Sequence, residues 1–183
     1  SIAVMAMGKE TKPAAATPIK IGALFSITGP ASFLGAPEAK TAEMLVEEIN
    51  AKGGINGRPL KLLIKDTGGN PEKAISFAKQ LIEEEKVLAI IGPSTSGESM
   101  KIKSLCEENK TILLSCAAAE VIVNPVASFV YKTPQKDSDA ARKIFLTMKD
   151  LKITKIGIMS SNTGFGTAGK EQLEKLAPEY GIE

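Results

Sequence analysis

From Ile19 onward the chain alternates short apolar runs of strand length with longer runs of helical period, and that alternation leaves few folds open. Ile19–Ile27 is mostly apolar, as a strand covered on both faces must be. Ala36 to about Lys52 carries Ala39, Ala42, Leu45, Val46 and Ile49 at three- and four-residue spacing, the period of an amphipathic helix. Gly53-Gly54 ends it and Asn56-Gly57 turns the chain. Leu60–Lys65 reads as the next strand. Asn70-Pro71-Glu72 supplies a capping side chain, a proline at the first helical position and an acid in the first turn, so a helix runs from there to about Glu85. Val87–Ile91, a helix from Gly97 to about Asn109, Thr111–Ser115 and a short strand at Ser128–Lys132 follow. The expectation is a three-layer α/β unit around an open parallel sheet.

The pattern restarts after Thr133–Ser138, a polar connection holding Pro134. A helix is expected from Asp139 to about Leu151, a strand at Lys155–Met159 and a helix from Thr167 to about Tyr180. Residues 19–133 are thus read as one ligand-binding unit and residues 134–183 as the beginning of a second, which one strand between two helices cannot complete. The sequence is expected to be part of a longer chain. Residues 1–18 divide into a small apolar stretch and an Ala/Pro-rich polar one, a flexible leader. Their first half fits either an export-signal remnant or a cloning scar.

Composition removes several function classes. The 183 residues include no His and no Trp, and the formal net charge is +2 with both signs interspersed. Histidine is the commonest general base near neutral pH and a frequent metal ligand. Its absence argues against a hydrolase triad or a His-ligated metal, and no catalytic residue, metal or cofactor is expected. No basic stripe with interleaved aromatics suggests nucleic acid. No run of about 18 apolar residues could span a bilayer. Two cysteines, Cys106 and Cys116, are too few for a disulfide framework or a four-thiolate zinc site, and fit either a buried reduced pair or one disulfide.

Ligands of open parallel sheets sit beyond the carboxyl ends of the strands. Four segments meet that rule and are expected to share one edge: Thr28–Gly35, Asp66–Asn70, Gly92–Gly97 and Ser115–Ala119. The second reads mainly as a turn. The third joins a buried strand to the first turn of a helix, whose amides lack intrahelical partners and favour an anion. Ser94, Thr95 and Ser96 add hydroxyls there, a candidate socket for a carboxylate, while Ser96 also fits a simple capping role. Cys116-Ala-Ala-Ala119 lets a backbone carbonyl approach an amine, or packs tightly against a helix. Gly164-Phe-Gly-Thr-Ala-Gly169 matches a dinucleotide-binding pattern, but its first glycine lies several residues past the expected strand. Phe165 is better placed as an aromatic lid.

The order of these pieces resembles the substrate-binding proteins of branched-chain amino acid ABC transporters, of the type I periplasmic-binding fold. The matching residues are Ile19-Lys-Ile-Gly, Thr28-Gly-Pro30, Gly35, Glu48-Ile-Asn-Ala-Lys-Gly-Gly-Ile-Asn-Gly57, Asp66, Ile91-Gly92, Ser96, Cys116–Ala119, Lys132-Thr133 and Phe165-Gly166. The resemblance implies two lobes joined by crossovers and closing on a small molecule, here the first lobe and the start of the second. It implies a periplasmic or extracytoplasmic location, with or without an N-terminal membrane anchor, and an ABC permease as partner. It assigns the ligand carboxylate to Ser96. The amino group goes to the carbonyl of Ala117 and to Ala119, where the family has a hydroxyl. Apolar contacts go to Leu34, where the family has an aromatic residue, and to Phe165. The implied ligand is an amino acid or an organic or aromatic carboxylate, and the two departures favour one that keeps a carboxylate and lacks an α-amino group. A sensor domain of the same fold is the alternative reading; a flavodoxin- or Rossmann-type enzyme is disfavoured by the missing His and the misplaced glycine motif.

Overall fold

The computed structural model describes residues 16–183; most of the leader expected at residues 1–18 lies outside the described residues. Five parallel strands form one sheet in the order β2-β1-β3-β4-β5, with β1 Ile19–Phe25, β2 Leu60–Asp66, β3 Ala89–Ile91, β4 Ile112–Ser115 and β5 Val130–Lys132. The helices are α1 Ser32–Ala51, α2 Pro71–Lys79, α3 Ser96–Glu108, α4 Asp137–Asp150 and α5 Gly164–Leu176. A π-helical turn, Gln80–Glu84, extends α2.

Successive residues of β1 face opposite layers, as the two-residue period of a strand requires. Leu24 joins a fully buried core with Ala78, Leu81, Ile90, Ile102 and Leu113 beneath α2 and α3. Ala23 and Phe25 face the other way, toward Ala39 of α1. Burying such side chains contributes roughly 1.5–3 kcal/mol each. A separate cluster of Ala141, Phe145, Leu176 and Ile182 joins α4 to α5.

Two expectations are corrected. First, α1 begins at Ser32, so the first loop is shorter than Thr28–Gly35. Its first turn lies on the end of β1, where a Cβ on Gly35 would come within 2.4 Å of Ser26 backbone atoms. Glycine at that position is a close-approach residue inside the helix, with no stop signal attached to it. Second, Lys155–Met159 is not a strand. A strand needs a neighbour, and its backbone partner among the described residues is Glu183. The Ile156 amide donates to the Glu183 carbonyl (2.9 Å) and the Glu183 amide to the Thr154 carbonyl (2.8 Å), a single rung of parallel pairing. Of the two readings left open for the cysteines, the structure has the reduced pair: both are free, Cys106 in the α2/α3 layer and Cys116 in the α1 layer.

Candidate functional site

The carboxyl ends of β1 to β4 open onto one cavity of about 910 Å³. Pro30, Ala31, Phe33 and Leu34 line it from the first loop and α1, and Gly68, Gly69 and Pro71 from the second loop. Ser94–Gly97 come from the third and Cys116–Ala118 from the fourth. Pro134 and Ser161–Phe165 close it from the residues beyond β5. The second loop, expected mainly as a turn, is therefore part of the wall.

Four helices point their N-termini at this space. Ala31 caps α1, Asn70 precedes α2, Thr95 precedes α3 and Thr163 precedes α5. Each start carries a partial positive charge of about half an electron. The side chains of Asn70 and Thr163 take up an amide of their own helix, from Lys73 and Gly166. Thr95 does not cap α3. The amides of Ser96, Gly97 and Glu98 have no protein acceptor among the described residues. Among the described residues, no Lys, Arg, Asp or Glu lines the cavity. Attraction for an anion therefore comes from the backbone.

The backbone turn that delivers α3 is held by Gly92. Its φ of +89° is left-handed, and a Cβ there would lie 2.1 Å from the Leu24 carbonyl oxygen. Only glycine fits both demands.

The three hydroxyls of the third loop differ in how their protons are spent. Ser94, which is buried, accepts the Ser26 amide (3.0 Å) and donates to the Glu38 carboxylate. Thr95 donates to Glu98 Oε2 (2.5 Å), which also accepts from the Ser26 hydroxyl (3.0 Å). Ser96 accepts the Ala119 amide (3.2 Å), and no acceptor takes its own proton among the described residues. It is the first residue of α3, so the expected capping position falls one residue earlier.

In the fourth loop, Ala117 lines the cavity and its amide donates to Ser115 Oγ (3.1 Å), which lies 2.7 Å from Ser99 Oγ of α3. The Ala118 carbonyl already accepts Lys132 Nζ (2.6 Å). Ala119 is fully buried and is not part of the cavity wall; it packs in the α2/α3 core, so its contribution is the amide given to Ser96. Leu34 and Phe165 reach the cavity, with 39% and 55% of their surface exposed, and Phe33 beside them at 74%.

Sequence reasoning missed the carboxylates behind the third loop. Glu38 and Glu98 flank the serines from α1 and α3, and Glu98 is fully buried. Thr95-Ser-Gly-Glu98 has the Ser/Thr-x-x-Glu spacing of a capping box, and that was the available signal. The Glu98 carboxylate takes hydroxyls in place of the Thr95 amide. Burial pushes the Glu38 carboxyl up; the Ser94 hydrogen bond opposes this and the charge of Glu98 adds to it. Burial likewise raises the Cys116 thiol, to about 11, with the Glu38 charge assisting, so the cavity wall presents a neutral thiol. Asp66 organises the first two loops. It accepts the Ile27, Thr28 and Gly68 amides at 2.9, 3.1 and 2.9 Å and the Thr28 hydroxyl at 2.7 Å. Partial burial opposes its charge, but these donors outweigh it and hold its carboxyl below the usual range.

Comparison with known proteins gives this architecture a lineage. The family model for a periplasmic binding protein matches residues 18–183. A Leu/Ile/Val-binding protein homolog 7 of Brucella suis biovar 1 is 30% identical over the whole chain, which covers 48% of that relative. An extracellular ligand-binding receptor from Rhodopseudomonas palustris HaA2 superposes with a TM-score of 0.83 at 30% identity, over 91% of this chain and 45% of that one. The branched-chain amino acid transporter substrate binding protein LivJ from Streptococcus pneumoniae, in complex with isoleucine, gives 0.79 at 25% identity, over 87% of this chain and 46% of that one. The chain spans about half the length of the curated relatives it matches. With a parallel sheet whose strand ends open on an uncharged, helix-capped cavity, and with a family match over residues 18–183, the chain belongs to the periplasmic binding protein family.

Proposed function

We propose that this chain contributes the first lobe and the start of the second lobe of an extracytoplasmic solute receptor that delivers a small organic acid to an ABC permease. The observation that carries the reading is the α3 start: three unspent amides beside the Ser96 hydroxyl, whose proton meets no acceptor among the described residues, in a wall where none of the described residues is charged. Such an arrangement suits the holding of an anion. Capture ends in closure of the lobes, and the closed form is what the permease recognises.

The same geometry supports a monocarboxylate with an apolar body over an amino acid. An ammonium needs acceptors. The Ser94 and Ser96 oxygens each already hold one amide donor, and the Ala118 carbonyl holds both Lys132 and the Asp137 amide. Among the fourth-loop groups assigned to an amine, that leaves the Ala117 carbonyl. Phe33, Leu34, Phe165 and the prolines suit an aliphatic or aromatic body. An ammonium left short of acceptors costs about 1–3 kcal/mol, roughly five- to 150-fold in affinity. Calorimetry of the full-length protein with leucine and with isocaproate, its analogue without the amino group, tests this. Isocaproate is expected to bind more tightly by that factor; micromolar leucine binding with no response to isocaproate or benzoate rejects the ligand class.

A further inference from the structure

Two glycines bring the starts of α3 and α5 into backbone contact, and the demand for glycine there is one of space alone. Neither Gly97 nor Gly164 has a left-handed φ, so each has a conformation open to any residue. A Cβ on Gly164 would nevertheless lie 2.7 Å from Gly97 Cα, 2.8 Å from Gly97 N and 2.7 Å from Met100 Cε. The methionine end can move aside. The Gly97 backbone cannot, because it is the first turn of α3 and is set by the β3 turn. Carbon atoms settle about 3.5–4.0 Å apart, so a methyl group at 164 would hold the two helix starts about 1 Å further apart. Gly169, one and a half turns along α5, has nothing within 4 Å of its Cβ, so the helix itself accepts a side chain.

Both glycines line the cavity. Their contact brings two positive helix ends together beside the unspent α3 amides. Like charges oppose that approach, and an anion between them offsets the opposition. We propose that Gly164 is a positioning residue for closure: its missing side chain lets α5 reach α3, so that one carboxylate is held from both sides, and the carboxylate in turn makes the approach favourable. This rests on the solute-capture reading above.

The test uses the full-length protein with Gly164→Ala and, as control, Gly169→Ala, probed with isocaproate and leucine by calorimetry and small-angle scattering. Wild type and the control are expected to bind and compact. G164A is expected to keep its ligand-free melting temperature, to fail to compact, and to bind about tenfold more weakly, the worth of one hydrogen bond to a charged group. G164A that binds within about twofold of wild type and compacts equally overturns the inference and leaves the capture reading standing. Wild type that neither binds nor compacts overturns the capture reading itself. Hydrogen exchange on wild type is independent of whether the variant folds. Isocaproate is expected to slow exchange at the start of α3 and the start of α5 together; protection at α3 alone contradicts the proposal.

Discussion

Replacing Ser96 by Ala, beside the matched change at Ser94, separates the roles of two neighbouring hydroxyls. The substitution removes one oxygen that does two things: it accepts the Ala119 amide, and it keeps a proton that no protein group uses. The amide is buried, since Ala119 has no exposed surface. Leaving it without an acceptor costs about 1–3 kcal/mol of stability. Losing a hydrogen bond to a carboxylate costs about 1.5–3 kcal/mol of binding, roughly 10- to 150-fold in Kd. Ser94→Ala is the matched comparison. Its proton goes to Glu38 and its oxygen to the Ser26 amide, so it has no proton for a solute while Glu38 is charged. The assay is a thermal melt followed by calorimetry with isocaproate on full-length wild type, S96A and S94A. Both variants should melt earlier, and S96A should lose the larger share of affinity. If S94A loses affinity and S96A binds as wild type does, the proton accounting at this loop is wrong.

Asp66→Asn should flatten acid unfolding. The Asp66 carboxyl is held below its unfolded value, so its stabilisation is complete above the ordinary carboxylate pKa of about 4 and disappears as pH falls through the folded one. Wild type should therefore lose stability below that point more steeply than D66N, in melts recorded across acidic pH. Cys116 should alkylate slowly at pH 7. With its thiol raised to about 11, roughly one molecule in ten thousand carries the thiolate. Isocaproate should slow the reaction further, because Cys116 lies in the cavity wall, and rapid labelling unaffected by isocaproate would contradict that placement.

The elements most legible in the sequence were those announced by local chemistry. Asn70-Pro71-Glu72 marks the start of α2, and the Asn70 side chain does accept the Lys73 amide there. The four loops that share the cavity follow from parallel strands, whose carboxyl ends lie on one edge. What local chemistry does not carry is close approach between distant segments. Gly35 reads as a helix boundary until Ser26 is seen against it. Lys155–Met159 has a strand's composition, but composition supplies no pairing partner. The same limit applies at the site. That Ser94 spends its proton on Glu38, 56 positions away, is a tertiary fact, and so is the burial of Ala119 behind the wall.

The central claim is that main-chain amides at the start of α3 receive the acid group of the solute. Amide proton and nitrogen shifts of full-length protein, recorded before and after saturation with isocaproate, read that contact directly. The Ser96 and Gly97 amide protons should move downfield, as donors to a carboxylate do. Saturable binding that leaves both resonances in place would contradict the account.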